Sequence, residues 1–230
     1  TVDVGVGSAC PGLAAKTAGL KQADVSDGSL TSAIAVGNNR VGVVFEDVAR
    51  LTVSFGILNA DGSTHAMPRV VANNAISPDI VFADGDFAIV VHDLSRNDLV
   101  FMRFDRSGNR VVSVPLAQTI NDSAGYPKIA NRLDRFLVAY FDGTDQTSYV
   151  VKSARVGFDG IRVERFMPLS SSAGTTALVD LTTTNTGYAA TWIDESSGTP
   201  RVFAARIGAD GLKQTPPGDI QITNGTRPNL

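Results

Sequence analysis

One cysteine, Cys10, stands among 230 residues. That excludes an internal disulfide and any zinc site built from cysteines, and it leaves the redox compartment undecided. Histidine is nearly as scarce, with only His65 and His92. Charged residues make up 19%, and 20 basic against 23 acidic side chains give a net charge of -3. The positive surplus needed to hold nucleic acid or an anionic membrane surface is missing. No stretch approaches the roughly eighteen consecutive apolar residues of a membrane span. The N-terminus lacks a basic region followed by an apolar run, so any secretory leader is expected to have been removed. Sustained 3.6-residue apolar periodicity is absent too, which predicts almost no helix. Gly7-Ser8-Ala9-Cys10 has the small residues of a lipidation site but not the apolar segment that precedes one. Cys10 therefore reads as a small buried hydrophobe.

What the chain does have is self-similarity. Ser32-Ala33-Ile34, Pro78-Asp79-Ile80, Pro127-Lys128-Ile129, Thr176-Ala177-Leu178 and Pro228-Asn229-Leu230 open successive copies of one pattern, with steps of 46, 49, 49 and 52 residues by subtraction. A period of that size marks a propeller or solenoid, in which each copy needs its neighbours to bury its apolar faces. Each copy holds four short runs rich in Val, Ile, Phe and Tyr, separated by Gly, Asp, Asn and Ser clusters, which read as strands. In the second copy these are Ile80 to Ala83, Phe87 to His92, Leu99 to Phe104 and Val111 to Ile120.

The punctuation recurs in register. Asp47, Asp93, Asp142 and Asp194 close the second run. Asp61-Gly62, Asp105 with Gly108, Asp159-Gly160 and Asp210-Gly211 mark the turn between the third and fourth. Glycine there supplies the positive φ of a tight hairpin, and aspartate satisfies turn amides. The predicted fold is an all-β propeller of four-stranded antiparallel blades, four complete plus a partial fifth. It forms a single domain over 1–230, with blades at 32–77, 78–126, 127–175 and 176–227. Antiparallel geometry puts the turns between second and third strands on the same face as the blade links, the face where binding residues are expected.

The ends do not match a closed ring. Ala18-Gly19-Leu20-Lys21-Gln22 resembles Asp210-Gly211-Leu212-Lys213-Gln214, and Val25-Ser26-Asp27-Gly28-Ser29 resembles Ile222-Thr223-Asn224-Gly225-Thr226. Residues 1–31 therefore read as half a blade, and the C-terminus as the start of another. An open strand edge invites pairing, so either a missing chain segment of a longer parent completes the ring, or the N-terminal strands pair with the last blade or, by self-association, with a neighbouring molecule.

Tyr140-Phe141-Asp142, Trp192-Ile193-Asp194 and Arg155-Val156-Gly157-Phe158-Asp159-Gly160, together with the blade-opening prolines, resemble the roughly fifty-residue repeats of secreted bacterial β-propeller proteins. The likeness spans residues 32–230 and part of 18–31, and its motifs specify a blade. It implies an extracellular or periplasmic location.

Most candidate chemistry has a structural explanation beside it. The repeated strand-end aspartates could be metal ligands, yet a carboxylate at a hairpin mouth also caps turn amides and could pair with the recurring Arg103, Arg155 and Arg206. Asp142-Gly143-Thr144-Asp145 falls short of a calcium loop, and no metal or cofactor is expected. Five-bladed glycosidases use paired carboxylates near the axis. The innermost strands offer Asp79 and Asp180 for that work, beside Lys128 and apolar residues. A Ser/His/Asp relay has no Gly-x-Ser-x-Gly elbow to support it, and Thr1 as an N-terminal nucleophile is more simply a processing boundary. Phe45, Val91, Tyr140 and Trp192 share one repeat position and read as packing between blades. The sequons Asn121-Asp122-Ser123 and Asn224-Gly225-Thr226 fall at one turn of the repeat, where Asn and Ser are favoured anyway. Tyr126, with Arg96, Arg227 and Asp145, lies on the loop face and forms the candidate ligand surface. The expectation is a non-catalytic module binding a glycan or partner protein there, with a glycoside-processing enzyme as the alternative.

Overall fold

The computed structural model describes residues 31–117, 125–145, 148–160, 163–170, 176–214 and 219–224. Every regular element in them is a strand. Blade one contains β1 (Ser32–Gly37), β2 (Arg40–Asp47), β3 (Thr52–Asn59) and β4 (Thr64–Asn73). Blade two contains β5 (Ala75–Ala83), β6 (Asp86–Asp93), β7 (Asp98–Phe104) and β8 (Arg110–Ala117). Blade three contains β9 (Gly125–Arg132), β10 (Arg135–Asp145), β11 (Ser148–Gly157) and β12 (Val163–Pro168). Blade four contains β13 (Thr176–Thr183), β14 (Gly187–Asp194), β15 (Arg201–Gly208) and β16 (Ile220–Asn224). Each blade is one antiparallel sheet in simple up-and-down order. β1 packs on β5, β5 on β9 and β9 on β13, so the first strand of each blade lines the axis. Among the described residues no comparable packing joins β13 back to β1.

Tight turns close the blades where the sequence places Asp-Gly. Gly62, Gly108, Gly160 and Gly211 all carry positive φ, between 68° and 84°, which an L side chain adopts only at a cost. The strand-end aspartates cap their own turns: Asp93 Oδ1 accepts from Ser95 N at 2.9 Å, Asp194 Oδ1 from Ser196 N at 2.8 Å and Asp47 Oδ1 from Arg50 N at 3.1 Å. The recurring arginines do not reach them. Arg103 instead pairs with Asp86 at 2.6 Å, Arg155 donates to the Asp210 carbonyl, and Asp142 takes Lys152. Distance explains the difference. Arg103 sits opposite Ala88 while Asp93 is five residues further along β6, about 17 Å at the usual rise per residue.

Among the described residues the core forms three layers between blades rather than one centre. Phe55, Phe87 and Phe104 interlock between blades one and two, with centroids 5.0 to 5.6 Å apart. Phe101, Phe136 and Tyr140 fill the next layer, and Tyr188 and Trp192 the third. Val91, Tyr140 and Trp192 are fully buried, as expected of an inter-blade column, while Phe45 is only partly buried.

Candidate functional site at the propeller axis

Strand pairing, rather than sequence spacing, defines the axial site. Asp79 lies opposite Val90, Lys128 opposite Ala139 and Asp180 opposite Thr191. Each partner stands three residues before its strand-end aspartate. Ala33, opposite Val44, holds the same place in blade one. The sequence-based opening of the fourth copy at Thr176 is corrected by this register, because Asp180, not Ala177, is the counterpart of Asp79 and Lys128.

A repeated bulge creates the shift. In blade two, residues 77 and 78 face Val91 alone; in blade three, 126 and 127 face Tyr140; in blade four, 178 and 179 face Trp192. A bulge re-aims the residues after it and recurs next to functional sites. Ser77 and Tyr126 stand at its first position with left-handed φ of 53° and 50°. That conformation is uncommon for any residue with a Cβ and costly for a bulky one. Ser77 is held in it by its amide, which donates to the buried Glu46 carboxylate at 2.6 Å. Tyr126 rests edge-on against Phe141, with centroids 6.2 Å apart.

Alternation along each inner strand sends the axial side chain toward the next blade. Ile80 packs against blade one and Val81 toward blade three, so Asp79 shares the side of Val81. Its Oδ2 accepts the Ile129 amide of β9 at 2.8 Å. Ile129 packs toward blade two and Ala130 toward blade four, so Lys128 faces blade four. Val179 and Leu181 pack on blade three, which turns Asp180 to the other face of β13. There its Oδ1 accepts the amide of Leu181 at 2.8 Å.

Two carboxylates and one ammonium thus ring the axis. Burial pushes the Asp79 carboxyl above the usual carboxylate range; the Lys128 charge and the amides of Ile129 and Ile80 oppose the rise, and the Asp180 charge adds to it. A carboxyl that keeps its proton beside a second carboxylate is the pairing that acid–base chemistry on a glycosidic bond requires. Sequence reasoning named Asp79 and Asp180 as inner-strand acids with Lys128 at a matching position, but missed that Asp180 stands in register with the other two. The signal was available in Val179-Asp180-Leu181, which follows the same apolar–polar–apolar order as Pro127-Lys128-Ile129.

The other sequence candidates lie elsewhere. Tyr126 is 55% exposed, two residues ahead of Lys128. Arg96 sits in the turn between β6 and β7, its guanidinium 4.0 Å from Asp93. Asp145 ends β10, across from Ser148, and Arg227 lies outside the described residues. His92 is buried against Asn97 at 3.1 Å, with its pKa lowered chiefly by burial. Among the described residues no cluster of three His, Cys, Asp or Glu side chains could hold a metal ion. A cavity of about 260 Å³ opens at the opposite end of blade three, lined by Asp134, Arg135, Arg155 and Asp159. Its arginines are engaged, Arg135 with Asp134 at 2.9 Å and Arg155 with the Asp210 carbonyl.

No protein-family model matches the sequence, and no curated protein matches it. Solved structures do. A xylan β-1,4-xylosidase from Bacillus halodurans C-125 superposes with a TM-score of 0.56 at 13% identity, covering 88% of this chain and 46% of that one. A GH43 endo-arabinanase from Bacillus licheniformis gives 0.53 at 12% identity, covering 81% and 77%. A subtype N10 neuraminidase-like protein of A/little yellow-shouldered bat/Guatemala/060/2010 gives 0.56 at 11%, covering 81% and 58%. The chain spans less than half the length of several of these neighbours. At such identities the likeness establishes the fold, a β-propeller. It also overturns the expectation of a non-catalytic binding module, because the solved neighbours include a xylosidase, an arabinanase and an arabinofuranosidase.

Proposed function

We propose that the chain processes glycosides at the axis of its propeller. The observation that carries this is the placement of Asp79 and Asp180 at equivalent positions of two inner strands, with Asp79 held above the usual carboxylate range. Asp79 in its neutral form donates its proton to the glycosidic oxygen as the bond to the anomeric carbon breaks. Asp180 either takes the proton of an attacking water or attacks the anomeric carbon itself. The two courses leave opposite anomeric configurations in the first-formed product, which NMR distinguishes. Lys128, half-buried between the carboxylates, donates to a substrate hydroxyl and keeps the acid cluster from accumulating uncompensated negative charge.

Tyr126, two residues ahead of Lys128, is assigned to a flanking sugar unit. An exposed aromatic ring offers sugars an apolar platform. The repeat resemblance supports a secreted bacterial protein, acting outside the cell or in the periplasm. No helix among the described residues is long and apolar enough to cross a membrane.

The test is cleavage of arabino-, xylo- and sialo-oligosaccharides, the classes suggested by the names of the solved neighbours. Cleavage that falls at least about a hundredfold in Asp180→Asn, with circular dichroism unchanged, supports the assignment. Cleavage that survives Asp180→Asn rejects it.

A further inference from the structure

Blade one presents Ala33 at the axial position where blades two, three and four present Asp79, Lys128 and Asp180. Its polar contribution comes from further out. Glu46, next to last in β2, shares the face of Val44, which packs toward blade two. Glu46 is buried, and its Oε2 accepts the Ser77 amide across the blade interface at 2.6 Å. Ser77 opens the bulge of β5, and Asp79 stands two residues after it.

We infer that Glu46 is a positioning residue for Asp79: its carboxyl latches the strained Ser77 backbone from the neighbouring blade and so sets where the Asp79 carboxyl points. The consequence for cleavage rests on the glycoside reading; the latch itself does not.

The left-handed φ of 53° at Ser77 is costly for a residue with a Cβ. Pro78 raises the cost, because a following proline pushes its predecessor toward extended backbone. A bond from outside the strand must hold that conformation, and Glu46 supplies one to an amide at the bulge. The orientation fixed at Ser77 passes to Asp79 through a single residue of fixed φ. The other blades do without such a latch. His92 and Phe141 hold the place of Glu46, each directly before its strand-end aspartate. His92 bonds Asn97 of its own blade at 3.1 Å, and Phe141 meets Tyr126 of its own blade ring to ring. The charges that act on the Asp79 carboxyl are those of Lys128 and Asp180, so Glu46 works through the backbone rather than through its field.

Glu46→Met, close in size but without an acceptor, tests this beside Glu46→Gln, whose side-chain carbonyl still accepts. NMR follows the Ile129 amide, which donates to Asp79 Oδ2, and the titration of the Asp79 carboxyl. Glu46→Met is expected to speed Ile129 exchange at least about tenfold. It is expected to bring the Asp79 titration down toward the usual carboxylate range, since burial is the largest cause of its rise. Oligosaccharide cleavage then loses about tenfold to a hundredfold in kcat with KM little changed. Glu46→Gln keeps all three close to the unmodified protein. Ile129 exchange and Asp79 titration unchanged in Glu46→Met overturn the inference, and so do equal losses in the two variants. If Glu46→Met does not fold, Ser77→Gly is added to it, because glycine takes the left-handed φ without strain. That double variant is expected to fold with Ile129 protected; failure to fold, or an unprotected Ile129, overturns the inference. No cleavage by the unmodified protein, with the NMR differences present, sinks the glycoside reading and supports the latch.

Discussion

Asp79 shows how one side chain's surroundings decide its chemistry. Taken from water into the narrow space between β5 and β9, its charged form loses solvation, and the nearby Lys128 restores only part of it. The folded protein therefore holds the Asp79 proton to higher pH than the unfolded chain does. Between those two values the native state binds the extra proton, so this group's contribution favours folding most at acid pH and is lost as pH rises through the folded pKa. Asp79→Asn removes the titration. Relative to the unmodified protein, the variant is expected to gain in urea midpoint as pH rises from about 4 toward neutrality. A midpoint difference independent of pH would show that the carboxyl is not desolvated. None of this could be read from Pro78-Asp79-Ile80 alone, because the rise comes from two blades that the sequence separates by about fifty and one hundred residues.

Glycines separate two kinds of constraint along the elements. At the start of β14, a Cβ on Gly187 would lie 2.0 Å from the Ile207 carbonyl oxygen of the paired strand, a backbone atom that cannot move without breaking the ladder. Gly187→Ala is expected to cost about 3 kcal/mol, measured by chemical denaturation. Gly62, in the turn between β3 and β4, has φ of 82° and open space around it. Gly62→Ala is expected to cost only about 1 kcal/mol of backbone strain. The turn glycine was legible in the sequence, since Asp-Gly between apolar runs carries its own geometry. Gly187 was not, because its constraint is a contact across strands.

Aromatic packing between elements follows the same division. Trp192 is completely buried between blades three and four, and Trp192→Ala is expected to cost about 3 to 5 kcal/mol with no loss of sheet content by circular dichroism. Its place in the repeat, shared with Tyr140 and Val91, is enough to identify it as packing between blades. The bulges at 77–78, 126–127 and 178–179 were hidden. A two-against-one pairing leaves no fixed composition, and Ser-Pro, Tyr-Pro and Leu-Val are three different ways of writing it.

At the scale of the whole molecule, the periodicity of turns and apolar runs was enough to give a propeller, because that signal is local and repeated. The axial site depends on register across the ring. A 52-residue step between Lys128 and Asp180, three longer than the preceding step from Asp79, was enough to place the fourth blade's acid at the wrong repeat position. A binding surface around Tyr126 then looked more plausible than chemistry at the axis. With the register corrected, two inner strands present carboxylates on either side of a third that presents Lys128, and the central claim rests on them. It is tested most directly by the pH dependence of oligosaccharide cleavage by the unmodified chain and by Asp79→Asn. The account predicts cleavage that declines as pH rises through the elevated Asp79 pKa, and a loss of about a hundredfold to ten-thousandfold in the variant, with the fold intact. Equal rates for the two proteins, or no cleavage of any oligosaccharide by the folded protein, would contradict it.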